Sequence, residues 1–306
     1  MSSFTLPPDG ELFTQQILER CSDLIISGIW EGLTQIRLDT WMTNFVTPTE
    51  EYFAASVLDA LIFRSERQTV SLMETMFQRA LPDLLRRQPQ GGISDNSWLD
   101  VLRAPSWQGN PYLRIVPVIK RDDPPAKSGP ALCRLYRRFL SLEQDWMIWP
   151  WRISQARAEG ITRFLFIDDF LGTGDQFCDF AQHFKLSTHL KHCFGVYAPL
   201  VAHKGGISHL AKKLKALHIT AVEIIDNSYN LFADDSLWFC DGINSPTTAR
   251  SFYDILAKRA RLPIDPEAMR GYGKLSLAYA FNHATPDNCL PLLWMEGPEW
   301  KPLLDR

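Results

Sequence analysis

The chain lacks any CxxC pair: its six cysteines, Cys21, Cys133, Cys178, Cys193, Cys240 and Cys289, are scattered over 306 residues. Such spacing argues against a disulfide framework or a structural zinc site and favours a reducing compartment. No apolar run approaches the roughly 18 residues of a membrane helix. The start, MSSFTLPPDGELF, has no basic segment followed by an apolar one, so no secretory signal is expected. No sign of charge dominates either. Lys and Arg number 32 against 35 Asp and Glu, a net charge of -3, which leaves nucleic-acid binding open and dependent on a local patch. The expectation is a cytoplasmic protein without membrane contact.

Apolar and aromatic side chains are what the chain has in quantity. At 45% hydrophobic it can bury the core of one large domain or two small ones. Ten Trp and 18 Phe are many for this length, and Trp146, Trp149 and Trp151 cluster around Pro150. Aromatics like these can stack on nucleobases, but filling a core or an interface is the commoner use.

Residues 1–110 read as a helical N-terminal region. Thr47-Pro48-Thr49-Glu50 has the form of a capping box with proline at the first helical position, and Ser65-Glu66-Arg67-Gln68 repeats the device. Leu72, Met73, Met76 and Phe77 share one helical face, and Pro82 should bend or end that helix. Gln88 to Ser97 reads as a loop. From 111 to 306 the texture becomes α/β. Strands are expected at Leu113–Ile119, Arg163–Ile167, Phe194–Val201 and Thr220–Ile225, with a last one at Ser276–Phe281. Helices are expected at Pro130–Leu142, Asp175–Leu186 and Ile207–Leu217. Continuous apolar strands separated by helices predict a mostly parallel sheet flanked by helices.

One segment carries chemistry. Phe164 to Gln176, FLFIDDFLGTGDQ, predicts a buried strand, the acid pair Asp168-Asp169, and a Gly172-Thr173-Gly174 loop opening a helix at Asp175. Ligands of α/β sheets gather at the carboxyl ends of strands. Glycines let backbone N–H groups approach an anion, and a helix start favours negative charge. The carboxylates could accept from vicinal ribose hydroxyls or balance positive charge on a sugar ring. A tight turn with a capping aspartate would explain Gly174 and Asp175, but not two adjacent acids at a buried strand end, which repel and want a ligand, metal or cation. A dinucleotide fingerprint fails because Phe177 stands where its third glycine belongs, and a P-loop fails for want of a Gly-Lys-Ser/Thr ending.

FLFIDDFLGTGDQ resembles the phosphoribosyl-pyrophosphate motif of type I phosphoribosyltransferases. The resemblance implies a phosphoribosyltransferase-like sheet, Asp168 and Asp169 as catalytic residues holding ribose, and Gly172, Thr173, Gly174, Asp175 and Gln176 around phosphate. Gly172 replaces the family's usual Thr, Ser or Ala, Gln176 its Thr or Ser, and Phe170 its Val or Ile. The stretches Trp41–Phe53, Arg114–Arg138 and Ala284–Trp294 resemble a divergent branch found in bacterial conflict and anti-phage systems, some beside retron reverse transcriptases. That implies a phosphoribosyl pyrophosphate- or nucleotide-type ligand and a glycosyl-transfer or nucleotide-modifying defence effector. It also implies a protein partner from the same operon, either a reverse transcriptase or a DNA-binding protein. An inactive sensor or scaffold that keeps the pocket and docks a partner is the alternative.

Weaker candidates surround the motif. Lys127-Ser128-Gly129 is either a pyrophosphate loop or an ordinary helix cap. His283 and Asn288 could read a base edge, though a turn built on Pro286 and Asp287 explains them equally. His203-Lys204-Gly205-Gly206 reads better as a cap than as an anion cradle. No metal-ligand set is expected in the chain, and Mg2+ is implied only through a pyrophosphate-bearing ligand.

Overall fold

The computed structural model describes residues 3–87, 98–108, 112–124 and 127–306. The expected loop at Gln88–Ser97 lies outside the described residues. The chain is mixed α/β, with parallel sheets flanked by helices. It divides into two compact units, one of residues 1–69 with 226–306 and one of residues 70–225. The change of texture near residue 110 therefore does not coincide with a boundary between compact units.

The 70–225 unit holds five strands, which we number β2 to β6: Leu113–Pro117, Arg163–Leu171, Phe194–His203, Leu217–Ile219 and Glu223–Ile225. They pair in parallel in the order β2-β3-β4-β5, with β6 also on β4. β3 and β4 are buried nearly end to end, which is why they read as unbroken apolar runs. Side chains alternate across the sheet. Phe164 and Phe166 on β3 join Val116, Tyr197, Phe177, Phe180 and Leu210 in one core on the side of helices Asp175–His183 and Lys204–Lys213. Phe166 meets Phe177 and Phe180 edge-on at 5.8 Å.

The helix bearing Leu72, Met73, Met76 and Phe77 buries those four side chains. Ser65 and Gln68 cap it reciprocally, at 3.0 and 3.3 Å. Pro82 does not end it. Glu66–Thr75 passes through a π-helical turn, Met76–Ala80, into Leu81–Arg86. A wider turn accommodates a residue that cannot donate to the ladder and whose ring crowds the preceding turn.

The other unit is built from both ends of the chain. β1 (Ile62–Arg64) pairs in parallel with β7 (Tyr279–Phe281), so the expected last strand is shorter than Ser276–Phe281 and belongs to a separate two-stranded sheet. Thr47 caps Pro48–Ala60 by accepting from Glu50 N–H at 3.3 Å, but the Glu50 carboxylate accepts from Val46 N–H and pairs with Arg259 instead of closing the box. Phe4, Phe53, Phe239 and Phe252 form an aromatic cluster with centroids 4.8–5.9 Å apart. The indoles of Trp41 and Trp300 both donate to the Leu292 carbonyl, at 3.0 and 2.8 Å. No helix among the described residues is long and apolar enough to cross a membrane.

Phe166→Ala should remove the ring at the centre of the β3 face and cost about 3–5 kcal/mol. Urea unfolding followed by circular dichroism measures it, and a cost under about 1 kcal/mol would contradict this placement.

Candidate functional site

β3 runs past the expected Arg163–Ile167 to Leu171, so Asp168 and Asp169 are its sixth and seventh residues. Both are buried, at 2% and 8% exposure. Successive residues of a strand face opposite sides, so the two acids meet different partners, while their carboxylates stay close enough to interact. Asp168 turns to the aromatic face, where its Oδ2 accepts from Tyr197 OH at 3.0 Å. Tyr197 itself stacks on Phe177, 3.9 Å between centroids. Asp168 Oδ1 accepts from the Asp169 N–H at 3.1 Å. Burial first, and the Asp169 carboxylate second, raise the Asp168 carboxyl well above its ordinary value, against the opposing pull of the Tyr197 hydrogen bond.

Asp169 faces the other way. Its Oδ1 accepts from Phe170 N–H at 2.8 Å and from Ser128 Oγ at 3.2 Å. Ser128 is the first residue of helix Ser128–Leu140. Gly129 lies close under the end of β2, where a Cβ would stand 3.0 Å from the Val118 carbonyl oxygen. Lys127 Nζ is held by Asp123 Oδ2 at 3.0 Å, and that oxygen also accepts from Lys120 N–H at 2.7 Å. The structure thus brings the candidate 127–129 loop against the acid pair, with Ser128 as the point of contact.

The 172–176 loop is folded on itself. Gly174 sits at φ +93° just before helix Asp175–His183, a left-handed conformation that suits glycine. Thr173 Oγ1 donates to Asp175 Oδ2 at 2.8 Å and accepts from Asp175 N–H at 3.3 Å. Two groups expected to serve a phosphate therefore satisfy each other. Asp175 also lies 3.6 Å from His209 Nε2, while Gln176 is exposed. The loop leans on helix Lys204–Lys213, where a Cβ on Gly206 would overlap the Gly172 carbonyl oxygen. His203 caps that helix by accepting from Gly205 N–H at 3.1 Å, as the cap reading expects.

Two expected site residues belong to the other compact unit. The Asn288 amide donates to the Tyr272 carbonyl at 3.0 Å, and His283 packs on Phe281 at 5.2 Å. The acid-pair site is built wholly from residues 70–225. Sequence reasoning missed Tyr197, the close approach of Gly206 to the Gly172 backbone, and His209. The first follows from strand alternation along β4, and the second from a Gly-Gly pair at a helix start. Nothing in the sequence marks His209.

A family model described as PRTase-CE matches residues 38–306, most of the chain and part of both compact units. The chain belongs to the PRTase-CE family. A comparison with curated proteins found no match. The PRTase-CE family is phosphoribosyltransferase-like, and the parallel sheet flanked by helices is the fold expected of it.

Two predictions follow the geometry. Gly206→Ala forces its new methyl onto the Gly172 backbone and should destabilise by about 1–3 kcal/mol. Gly205→Ala, where a Cβ meets only the His203 ring at 3.0 Å, should cost less, as denaturant melts of the pair would read. The folded state keeps the Asp168 proton where the unfolded chain has lost it, so stability is intact below about pH 4 and falls as pH rises toward the raised value. Asp168→Asn should flatten that decline, and its melting-temperature advantage should grow from pH 4.5 to pH 8. A constant difference across that range would count against the buried-acid assignment.

Proposed function

We propose that the protein binds a phosphoribosyl pyrophosphate- or nucleotide-type ligand at the carboxyl end of β3 and acts on it by glycosyl transfer or nucleotide modification, as an effector in bacterial anti-phage defence. The observation that carries this reading is Asp169, a buried carboxylate at the strand end that shares its Oδ1 with Ser128 at a helix start. One acid and one hydroxyl from different elements converge there, as ribose and pyrophosphate recognition requires.

The two acids take different parts. Asp169 supplies the charge that accepts from ribose hydroxyls and steadies an oxocarbenium-like transition state. Asp168 is held toward its neutral form by burial and is poorly suited to balance positive charge, so it orients its neighbour through the Asp169 N–H. Gly172 to Gln176 receive the phosphate once the Thr173 hydroxyl leaves Asp175, whose carboxylate already answers the positive helix end. A pyrophosphate ligand would bring Mg2+ as its own counter-ion. Among the described residues no cluster of three or more His, Cys, Asp or Glu is arranged to hold a metal.

The self-satisfied Thr173–Asp175 contact also favours a second reading, a sensor that keeps the pocket, has lost turnover and docks a partner protein from the same operon, such as a reverse transcriptase or a DNA-binding protein.

The test incubates purified protein with phosphoribosyl pyrophosphate, nucleotides and NAD, following products by mass spectrometry and binding by calorimetry. Asp169→Asn should weaken phosphoribosyl pyrophosphate binding about 10- to 100-fold, the worth of a charged hydrogen bond. Asp168→Asn should weaken it less. Binding without product would select the sensor, and an unaffected Asp169→Asn variant would sink the site.

A further inference from the structure

Trp149, Trp151 and Arg121 form a stack that neither the core nor the acid-pair site accounts for. The two indoles lie nearly parallel, 7° apart with centroids at 5.0 Å. The Arg121 guanidinium stands 5.3 Å from the Trp151 centroid. Trp149 is 44% exposed, whereas the neighbouring Trp146 is fully buried, with its Nε1–H donating to the Ala104 carbonyl at 2.8 Å. Core filling therefore explains Trp146 and not Trp149. An indole left this open beside a second indole and a guanidinium offers a planar face suited to another planar, electron-poor ring.

The sheet register locates the stack. Met147 bridges Ile115 of β2 in parallel, and Ile148 N–H donates to the Ile115 carbonyl at 3.0 Å. The chain stays extended through Trp149, so Trp149 comes level with Pro117 at the carboxyl end of β2. Pro117 is in turn the register partner of Ile167 on β3, one residue before Asp168. Two strand spacings, ~10 Å, separate the Trp149 backbone from that of Ile167. Arg121 arrives from the same edge, in the turn that follows β2 and closes on Lys127 through Asp123. Arg121 and Arg152 are both exposed there and match the charge of an anionic ligand.

We infer that the Trp149–Trp151–Arg121 stack is the platform for the nucleobase of a mononucleotide whose ribose and phosphate occupy the acid-pair site. This rests on the proposed function and narrows its ligand to one that carries a base. Stacking of this kind is tolerant of base identity, because every base has a π face.

Calorimetry with ribose 5-phosphate and with the four nucleoside 5′-monophosphates separates this inference from the reading beneath it. Trp149→Ala should weaken nucleotide binding about 5- to 100-fold and ribose 5-phosphate binding far less. Trp149→Phe should restore most of the loss, and thermal melts should confirm that both variants fold. Asp169→Asn should weaken both kinds of ligand. Nucleotide affinity unchanged in Trp149→Ala, while Asp169→Asn still weakens both ligands, would overturn the platform and leave the site standing. Failure of the wild-type chain to bind any of the four nucleotides would also overturn it. Neither variant changing either ligand would remove the site as well. An oligothymidylate bound more tightly than any mononucleotide, and indifferent to Asp169→Asn, would assign the stack to a single strand and overturn the inference.

Discussion

The pleat of β3 is the constraint on which the site depends. Residues alternate faces along a strand, so two adjacent aspartates take partners on opposite sides of the sheet even while their carboxylates interact. The register of Ile167 with Pro117 and Ala198, and of Asp168 with Pro199, fixes which acid goes where. A slip by one residue would exchange the faces and drive Phe166 out of its cluster. Asp168 is thus committed to Tyr197 and the aromatic core, and Asp169 to Ser128 at the opposite helix.

That commitment is costly. A carboxyl in an apolar setting loses hydration that one or two hydrogen bonds restore only in part. Asp168 receives Tyr197 OH and one backbone N–H, and burial still raises its proton affinity. A hydrophobic side chain would satisfy the same core more cheaply. Its presence is better explained by what it does for the next residue, since it grips the Asp169 N–H and so holds the backbone from which the Asp169 carboxylate reaches Ser128.

Local features were legible from the sequence where local physics decides them. The apolar runs of β3 and β4, the reciprocal cap at Ser65 and Gln68, the His203 cap and the left-handed turn at Gly174 all follow from a few neighbouring residues. Pairings set by distant parts of the chain did not show. Three residues at Ile62–Arg64 are too short to announce a strand, and only their partner Tyr279–Phe281 makes them one. Leu217 looked like a helix end and is the first residue of a strand because β4 lies beside it. At the site, the loop position was readable but the Thr173–Asp175 exchange was not, since it depends on rotamers and not on residue type.

The same distinction explains why a change of texture near residue 110 does not mark a compact unit. Texture is local, while compactness depends on which segments bury one another. Glu50 is buried, and its partner Arg259 lies on a helix far along the chain; removing either end would leave a charge unpaired in a partly buried place. Trp41 likewise needs the Leu292 carbonyl, which it shares with Trp300. Residues 1–69 therefore lack a core that closes without 226–306, whereas the sheet of 70–225 draws its strands and the acid pair from one continuous stretch. A ligand site confined to that stretch needs no side chain from the other unit to hold its carboxylates in place, because Ser128 and Tyr197 already do so from within.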